Sequence, residues 1–149
     1  MIVKICGIKD TITILNCEKN KIDFFGMIFY SKSPRNISVN KAKKLQIFSK
    51  NLNIEGVGVF VNENIDDIKL KIKELELNFV QLHGDEDNNY INEIKKLNTK
   101  VIKKISIKNT KDLNNIENYY SADYFLFDYK PNSNEMPGGN AKSFDWKIL

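Results

Sequence analysis

Apolar residues along this chain gather into short runs separated by longer stretches with helical spacing, and the two patterns alternate from end to end. Ile2-Val3-Lys4-Ile5-Cys6-Gly7 is the first run: β-branched, closed by a thiol and a glycine, and followed at once by the polar helix start Lys9-Asp10-Thr11. That order predicts strand, turn, helix. Thr11 to Asn20 carries Ile12, Ile14, Leu15 and Cys17 on roughly one helical face, with Asp10 as its cap. Phe24 to Phe29 is nearly unbroken in its apolarity, as expected of a strand buried on both faces of a parallel sheet. A polar loop from Tyr30 to Ser38 leads into a second helix over Asn40 to Lys50, facing inward with Ala42, Leu45 and Phe48.

The alternation continues. Gly56 to Val61 reads as a strand, Asn64 to Leu75 as a helix with Ile65, Ile68, Ile72 and Leu75 on one side, and Phe79 to Gly84 as a strand. Asp85-Glu86-Asp87 then suits the positive end of a helix dipole, and the helix runs from Asn88 to Leu97. Val101 to Ile107 is a fifth strand, Lys111 to Tyr119 a fifth helix and Tyr124 to Asp128 a sixth strand. A long loop holding Pro131, Pro137, Gly138 and Gly139 precedes Ser143-Phe144-Asp145-Trp146, which opens a last helix with Phe144 and Trp146 as its packing face; the chain ends within it.

The strand starts are separated by 22 residues from Ile2 to Phe24, 23 from Gly56 to Phe79, 22 from Phe79 to Val101 and 23 from Val101 to Tyr124. Strict β/α alternation at this period implies a parallel sheet with right-handed crossovers. A doubly wound open sheet calls for a glycine-rich phosphate loop after the first strand, and Cys6-Gly7-Ile8-Lys9 has one glycine only. A (β/α)8 barrel of the TIM type calls for reactive residues at the carboxyl ends of several strands. Cys6, Arg35, His83 and Asp128 all fall at or just past such ends, which favours an α/β barrel, here a single incomplete domain of about six β/α units over residues 1–149.

Composition narrows the class. The chain has 149 residues, a net charge of +4 and two cysteines, too few for a disulfide scaffold or a zinc site. No apolar run approaches the ~18 residues of a membrane span and the N-terminus lacks signal-peptide zones, so the expectation is a soluble protein of the reducing cytoplasm with no membrane contact. Its lysines are scattered among glutamates with no basic aromatic stripe, so no nucleic-acid partner is expected. Against that lysine-rich background Arg35 stands out as the only arginine. Read by itself, Cys6 also fits the ordinary role of a small buried hydrophobe, and Asp128 that of a loop cap.

Lys4-Ile5-Cys6-Gly7-Ile8, Gly26 to Phe29 followed by Ser33-Pro34-Arg35, Val57 to Asn62, Val80-Gln81-Leu82-His83-Gly84-Asp85, and Gly138-Gly139 ahead of Phe144-Asp145-Trp146 occur in an order that resembles the phosphoribosylanthranilate isomerases of tryptophan biosynthesis. The resemblance covers nearly the whole chain. It implies a (β/α)8 barrel whose last two β/α units lie beyond Leu149, and a sixth loop in which Asn140 and Ala141 replace the family's usual threonine and glycine.

The reaction so implied is an Amadori rearrangement of N-(5-phosphoribosyl)anthranilate to 1-(o-carboxyphenylamino)-1-deoxyribulose 5-phosphate, with no cofactor and no metal. An acid protonates the ribose ring oxygen, the ring opens to an iminium, and a base takes the C2 proton. By the resemblance Cys6 is the base and Asp128 the acid; an aspartate can serve so where apolar neighbours raise its pKa, and Phe125 and Phe127 flank it in sequence. Arg35 would hold the anthranilate carboxylate through its planar fork, and His83, Gly138 and Gly139 would line the substrate pocket. Two other readings stay open: an inactive or self-associating partial barrel whose first and last strands pair with a second copy, and another phosphosugar-binding barrel.

Overall fold

Six parallel strands form one sheet in the order of the sequence: β1 (Lys4–Cys6), β2 (Phe24–Ile28), β3 (Glu55–Phe60), β4 (Phe79–Leu82), β5 (Lys100–Ile107) and β6 (Tyr124–Tyr129). The computed structural model describes residues 2–132, 134, 135, 138 and 142–149. Four α-helices connect the first five strands: α1 (Thr11–Lys19), α2 (Val39–Ser49), α3 (Ile65–Leu75) and α4 (Asn88–Lys95). A sheet that never reverses its strand order has no switch point, which discards the doubly wound alternative and leaves the TIM-barrel type.

Each helix begins where the sequence supplies an acceptor for its orphan N–H groups. Asp10, Ser38, Asn64 and Asp87 accept from the backbone N–H of Thr13, Lys41, Asp66 and Tyr90 respectively. The helices bury Ile14, Ala42, Leu45, Ile68, Ile72, Leu75, Ile91 and Ile94 against Phe25, Met27, Phe60, Val80, Leu82 and Val101 of the sheet's outer face. Side chains of this size stabilise by about 1.5–3 kcal/mol each when fully buried, so this layer holds the strands in place. The inner face carries the alternate set: Lys4 and Cys6, Gly26 and Ile28, Val57 and Val59, Gln81 and His83, Ile102 and Lys104, Leu126 and Asp128.

Several expectations are corrected. Ile12 and Leu15 of α1 and Phe48 of α2 are exposed, while Gln46 and Ser49 take buried places on α2. The amide of Gln46 donates to the Leu75 carbonyl, and the Ser49 hydroxyl to that of Gln46, which is what lets polar residues occupy those positions. The predicted fifth α-helix is a 3-10 helix over Thr110–Tyr119, opened by a capping box of Asn109 and Asp112. Asn114, Asn115 and Asn118 crowd that segment, and such side chains compete for the backbone and weaken an α-helix. The last helix is a 3-10 turn, Trp146–Ile148, whose Trp146 is exposed and stacked on Phe144 instead of packed inward.

Among the described residues β1 and β6 each pair on one side only, leaving Ile2, Ile5 and Tyr124 exposed. No described helix is long and apolar enough to cross a membrane.

Candidate active site

The carboxyl ends of the strands surround a cavity of about 460 Å³, and residues from both the first and the last strand line it. Cys6 enters from β1 and Asp128 from β6; Arg35, His83 and Gly138 line the same cavity. The chain thus brings five of the six residues expected at the site into one space. Gly139 lies outside the described residues, as do Asn140 and Ala141 of the same loop.

Local chemistry explains how each side chain gets there. β1 ends because the Gly26 carbonyl accepts from both Gly7 and Ile8, turning the chain away just after Cys6. Gly7 sits at φ +89°, and a Cβ there would stand 2.6 Å from Arg35 Cδ. Only glycine meets both conditions. The arginine stem lies across this gap, and its Nη1 donates to the Cys6 carbonyl at 3.1 Å. The loop that presents Arg35 is pinned at three points: Ile37 is buried, its N–H donates to the Ile28 carbonyl, and Lys9 Nζ donates to the Pro34 carbonyl.

Deeper in the cavity the thiol has a cationic neighbour. Cys6 Sγ and Lys4 Nζ both lean over Gly26, 2.8 and 3.1 Å from where its Cβ would stand. On the inner face of β5, next to β6, Lys104 donates to Ser106 Oγ at 2.8 Å, and burial pushes its ammonium pKa down, with Lys103 adding to the effect. Lys4 and Lys104 are functional candidates that motif reading passed over. Period-two alternation was the available signal for Lys4, which precedes Cys6 by one full repeat on the same face; Lys104 needed the register of β5 with β6, in which Ser106, one repeat beyond it, pairs with Asp128.

Asp128 departs from expectation. Its dominant neighbour is neither Phe125 nor Phe127, which alternate with it along the strand, but the His83 imidazole, whose Nε2 stands 3.4 Å from Oδ2. That contact holds the carboxyl below the usual aspartate range; the Tyr129 N–H and Lys104 act in the same direction, and burial opposes them. His83 in turn is fixed by Gln81, whose Nε2 lies 2.7 Å from Nδ1, and by Gly138, where a Cβ would fall 2.4 Å from His83 Nε2.

The turn just after His83 is tied by a buried ion pair. Lys103 Nζ donates to Glu86 Oε2 at 2.9 Å and to the Gly84 carbonyl at 2.7 Å, with both side chains almost wholly excluded from solvent. Glu86 also accepts from the N–H groups of Asn62 and Gly84, joining the loops after β3 and β4. The acidic run Asp85-Glu86-Asp87, expected to act as a helix start, therefore divides its work. Asp87 caps α4, while Glu86 turns inward.

A thiol, a carboxylate and a guanidinium around the mouth of a sequentially wound parallel sheet define a TIM-barrel-type enzyme suited to acid–base chemistry on a small anion. Comparison with known proteins identifies the branch. The family model described as N-(5'-phosphoribosyl)anthranilate (PRA) isomerase matches residues 3–149. The N-(5'-phosphoribosyl)anthranilate isomerase of Listeria monocytogenes serotype 4b (strain F2365) is 40% identical over 148 residues, covering 98% of this chain and 68% of that protein. The Clostridium acetobutylicum enzyme of the same name is 38% identical over 147 residues, 99% of this chain and 68% of its own. The crystal structure of phosphoribosyl anthranilate isomerase from Thermotoga maritima matches with a TM-score of 0.86 and 34% identity, over 99% of this chain and 70% of that one. A phosphoribosyl anthranilate isomerase in complex with reduced 1-(o-carboxyphenylamino)-1-deoxyribulose 5-phosphate matches with a TM-score of 0.79 and 34% identity, over 87% of this chain and 66% of that one. The chain belongs to the N-(5'-phosphoribosyl)anthranilate isomerase family.

Proposed function

We propose that Cys6 and Asp128 carry the isomerisation of N-(5'-phosphoribosyl)anthranilate in this chain, Cys6 as the base and Asp128 as the acid, as a step of tryptophan biosynthesis in the cytoplasm. The observation that carries the assignment is that the two groups, from strands at opposite edges of the sheet, line one cavity. Asp128 passes a proton to the ribose ring oxygen as the C1–O bond breaks with its electron pair going to oxygen; the anthranilate nitrogen supplies the electrons that form the iminium. Cys6 then takes the C2 proton, giving an enolamine that tautomerises to the ketone. The relative solved with a reduced form of that product supports a ligand bearing a phosphate and an aromatic carboxylate. The test is consumption of phosphoribosylanthranilate by the purified protein, followed as loss of its fluorescence.

Arg35 is assigned the anthranilate carboxylate. A planar fork binds a carboxylate through two parallel N–H bonds, and an ammonium cannot reproduce that geometry. Arg35→Lys is expected to raise KM by about tenfold with a smaller change in kcat, a loss equal to one charge-assisted hydrogen bond. An unchanged KM would remove Arg35 from the binding site.

A second reading is favoured by the unpaired edges. Among the described residues β1 and β6 present open backbone on the two sides of the sheet beside exposed Ile2, Ile5 and Tyr124, and such edges pair with further strands. We propose that two copies of this chain associate there. Sedimentation velocity at tens of micromolar is expected to show a dimer that Ile5→Lys dissociates; a monomer at every concentration would exclude the association.

A further inference from the structure

The carboxylate assigned as the acid is the end of a line of three side chains. Gln81 on the inner face of β4 and His83 just past its end hold alternate positions, with Gln81 Nε2 2.7 Å from His83 Nδ1 and His83 Nε2 3.4 Å from Asp128 Oδ2. An amide NH2 can only donate, so Nδ1 must accept, and the ring of a neutral His83 then carries its proton on Nε2, facing the carboxylate. In this orientation Gln81 Oε1 is buried and has no hydrogen-bond partner, on a residue that is 3% exposed. A buried carbonyl without a donor is a standing cost that native interiors rarely keep without use.

Turned over, the same amide presents Oε1 to Nδ1, where it would accept from the N–H of a doubly protonated ring. Gln81 therefore has an end for each protonation state of His83. Neither end is claimed by another described side chain, because the residues in register on either side are Val59 and Ile102.

We infer that His83 is the proton-holding partner of Asp128 and that Gln81 is a positioning residue whose amide turns over as the imidazole charges and discharges. The inference rests on the reading of Asp128 as the acid and supplies what that reading lacks, a source for its proton. In the charged pair, the Nε2–H bond breaks and an O–H bond forms on Oδ2, while the carboxyl passes a proton to the ring oxygen of the substrate. The imidazolium is left for the moment as a neutral ring with its Nδ1 proton against Gln81 Oε1. Water then gives Nε2 a proton and takes the one on Nδ1, and the amide turns over to donate to the bare Nδ1, which restores the resting Nε2–H tautomer. The pair takes its next proton from water.

Other charges face this line and set its baseline. Lys104 acts on Asp128 from β5, with Asp85 and Glu86 of the loop after β4 acting on Lys104 in turn. Lys4 and Cys6 of β1 and Arg35 of the loop after β2 line the same cavity, to which β3 contributes the uncharged Val59 and the residue just beyond it, Val61.

Because His83 is the only histidine in the chain, long-range proton–nitrogen NMR of the full chain labelled at histidine reads this ring alone. The expected result is the Nε2–H tautomer above the titration midpoint. Gln81→Glu, close to isosteric and always an acceptor at neutral pH, is expected to raise the midpoint by a pH unit or more, a tenfold gain in proton affinity. Gln81→Leu is expected to lower it, and the basic limb of kcat should follow the midpoint in both variants while KM stays within twofold. A neutral ring protonated on Nδ1, or a midpoint that Gln81→Glu leaves in place, would overturn the inference, and Gln81→Glu alone decides it should Gln81→Leu not fold. Full activity in Asp128→Asn would instead overturn the acid reading itself, so the two failures are distinguishable.

Discussion

Asp128→Asn is expected to lower kcat by about 10²–10⁴-fold, the range that a positioned general acid contributes. The substitution is close to isosteric and keeps an oxygen for the Tyr129 N–H that now donates to Oδ1. What it removes is the capacity to carry a proton and the charge that faces His83. Cys6→Ala is expected to cause a loss in the same range for a different reason, since it deletes the group assigned to take the C2 proton. Fluorescence of phosphoribosylanthranilate is the readout in both cases. If each variant kept more than a tenth of the parent activity, both roles would be discarded.

The second large effect is on stability. Lys103→Met should cost about 3–5 kcal/mol, because it leaves the Glu86 carboxylate buried without its cation. A domain of this size has roughly 5–15 kcal/mol to lose, so the variant is expected to unfold at a much lower urea concentration. Glu86→Gln should be nearly as damaging. It strands the Lys103 ammonium, and its amide has one accepting oxygen where the carboxylate uses one for the Asn62 N–H and the other for that of Gly84. The pair also holds both backbone groups of Gly84, the residue after His83, so surviving protein should show weaker turnover without a change of chemistry. A loss of less than about 1 kcal/mol in either variant would mean that water reaches this pair, contrary to its near-complete burial.

The order of strands and helices was readable because two periods, one near two and one near 3.6, alternate with little interruption; the ends of α1 to α4 fall within two residues of expectation. The cap of α1, Asp10, was readable for the same local reason. What escaped was everything that depends on which face a strand residue occupies. Lys103 and Lys104 are adjacent lysines in a run that reads as a strand, yet one points outward into an ion pair under the helices and the other inward toward Asp128. Sequence gives no hint of that difference without the register. The fifth helix failed because asparagine content was outweighed by spacing in the reading, and the capping of Asn109 and Asp112 stabilises only its first turn. Asp128 was placed at the right strand end, but its surroundings come from β4, some forty-five positions away, which no local window contains.

The guanidinium that would receive an aromatic acid is already engaged with the main chain of the residue assigned as the base, over a glycine that tolerates no side chain. Recognition and reactivity thus share one joint. A variant selected to admit a differently shaped acid by moving Arg35 would tilt the thiol at the same time, so broadened substrate range should arise more readily from the opposite rim of the mouth than from this loop.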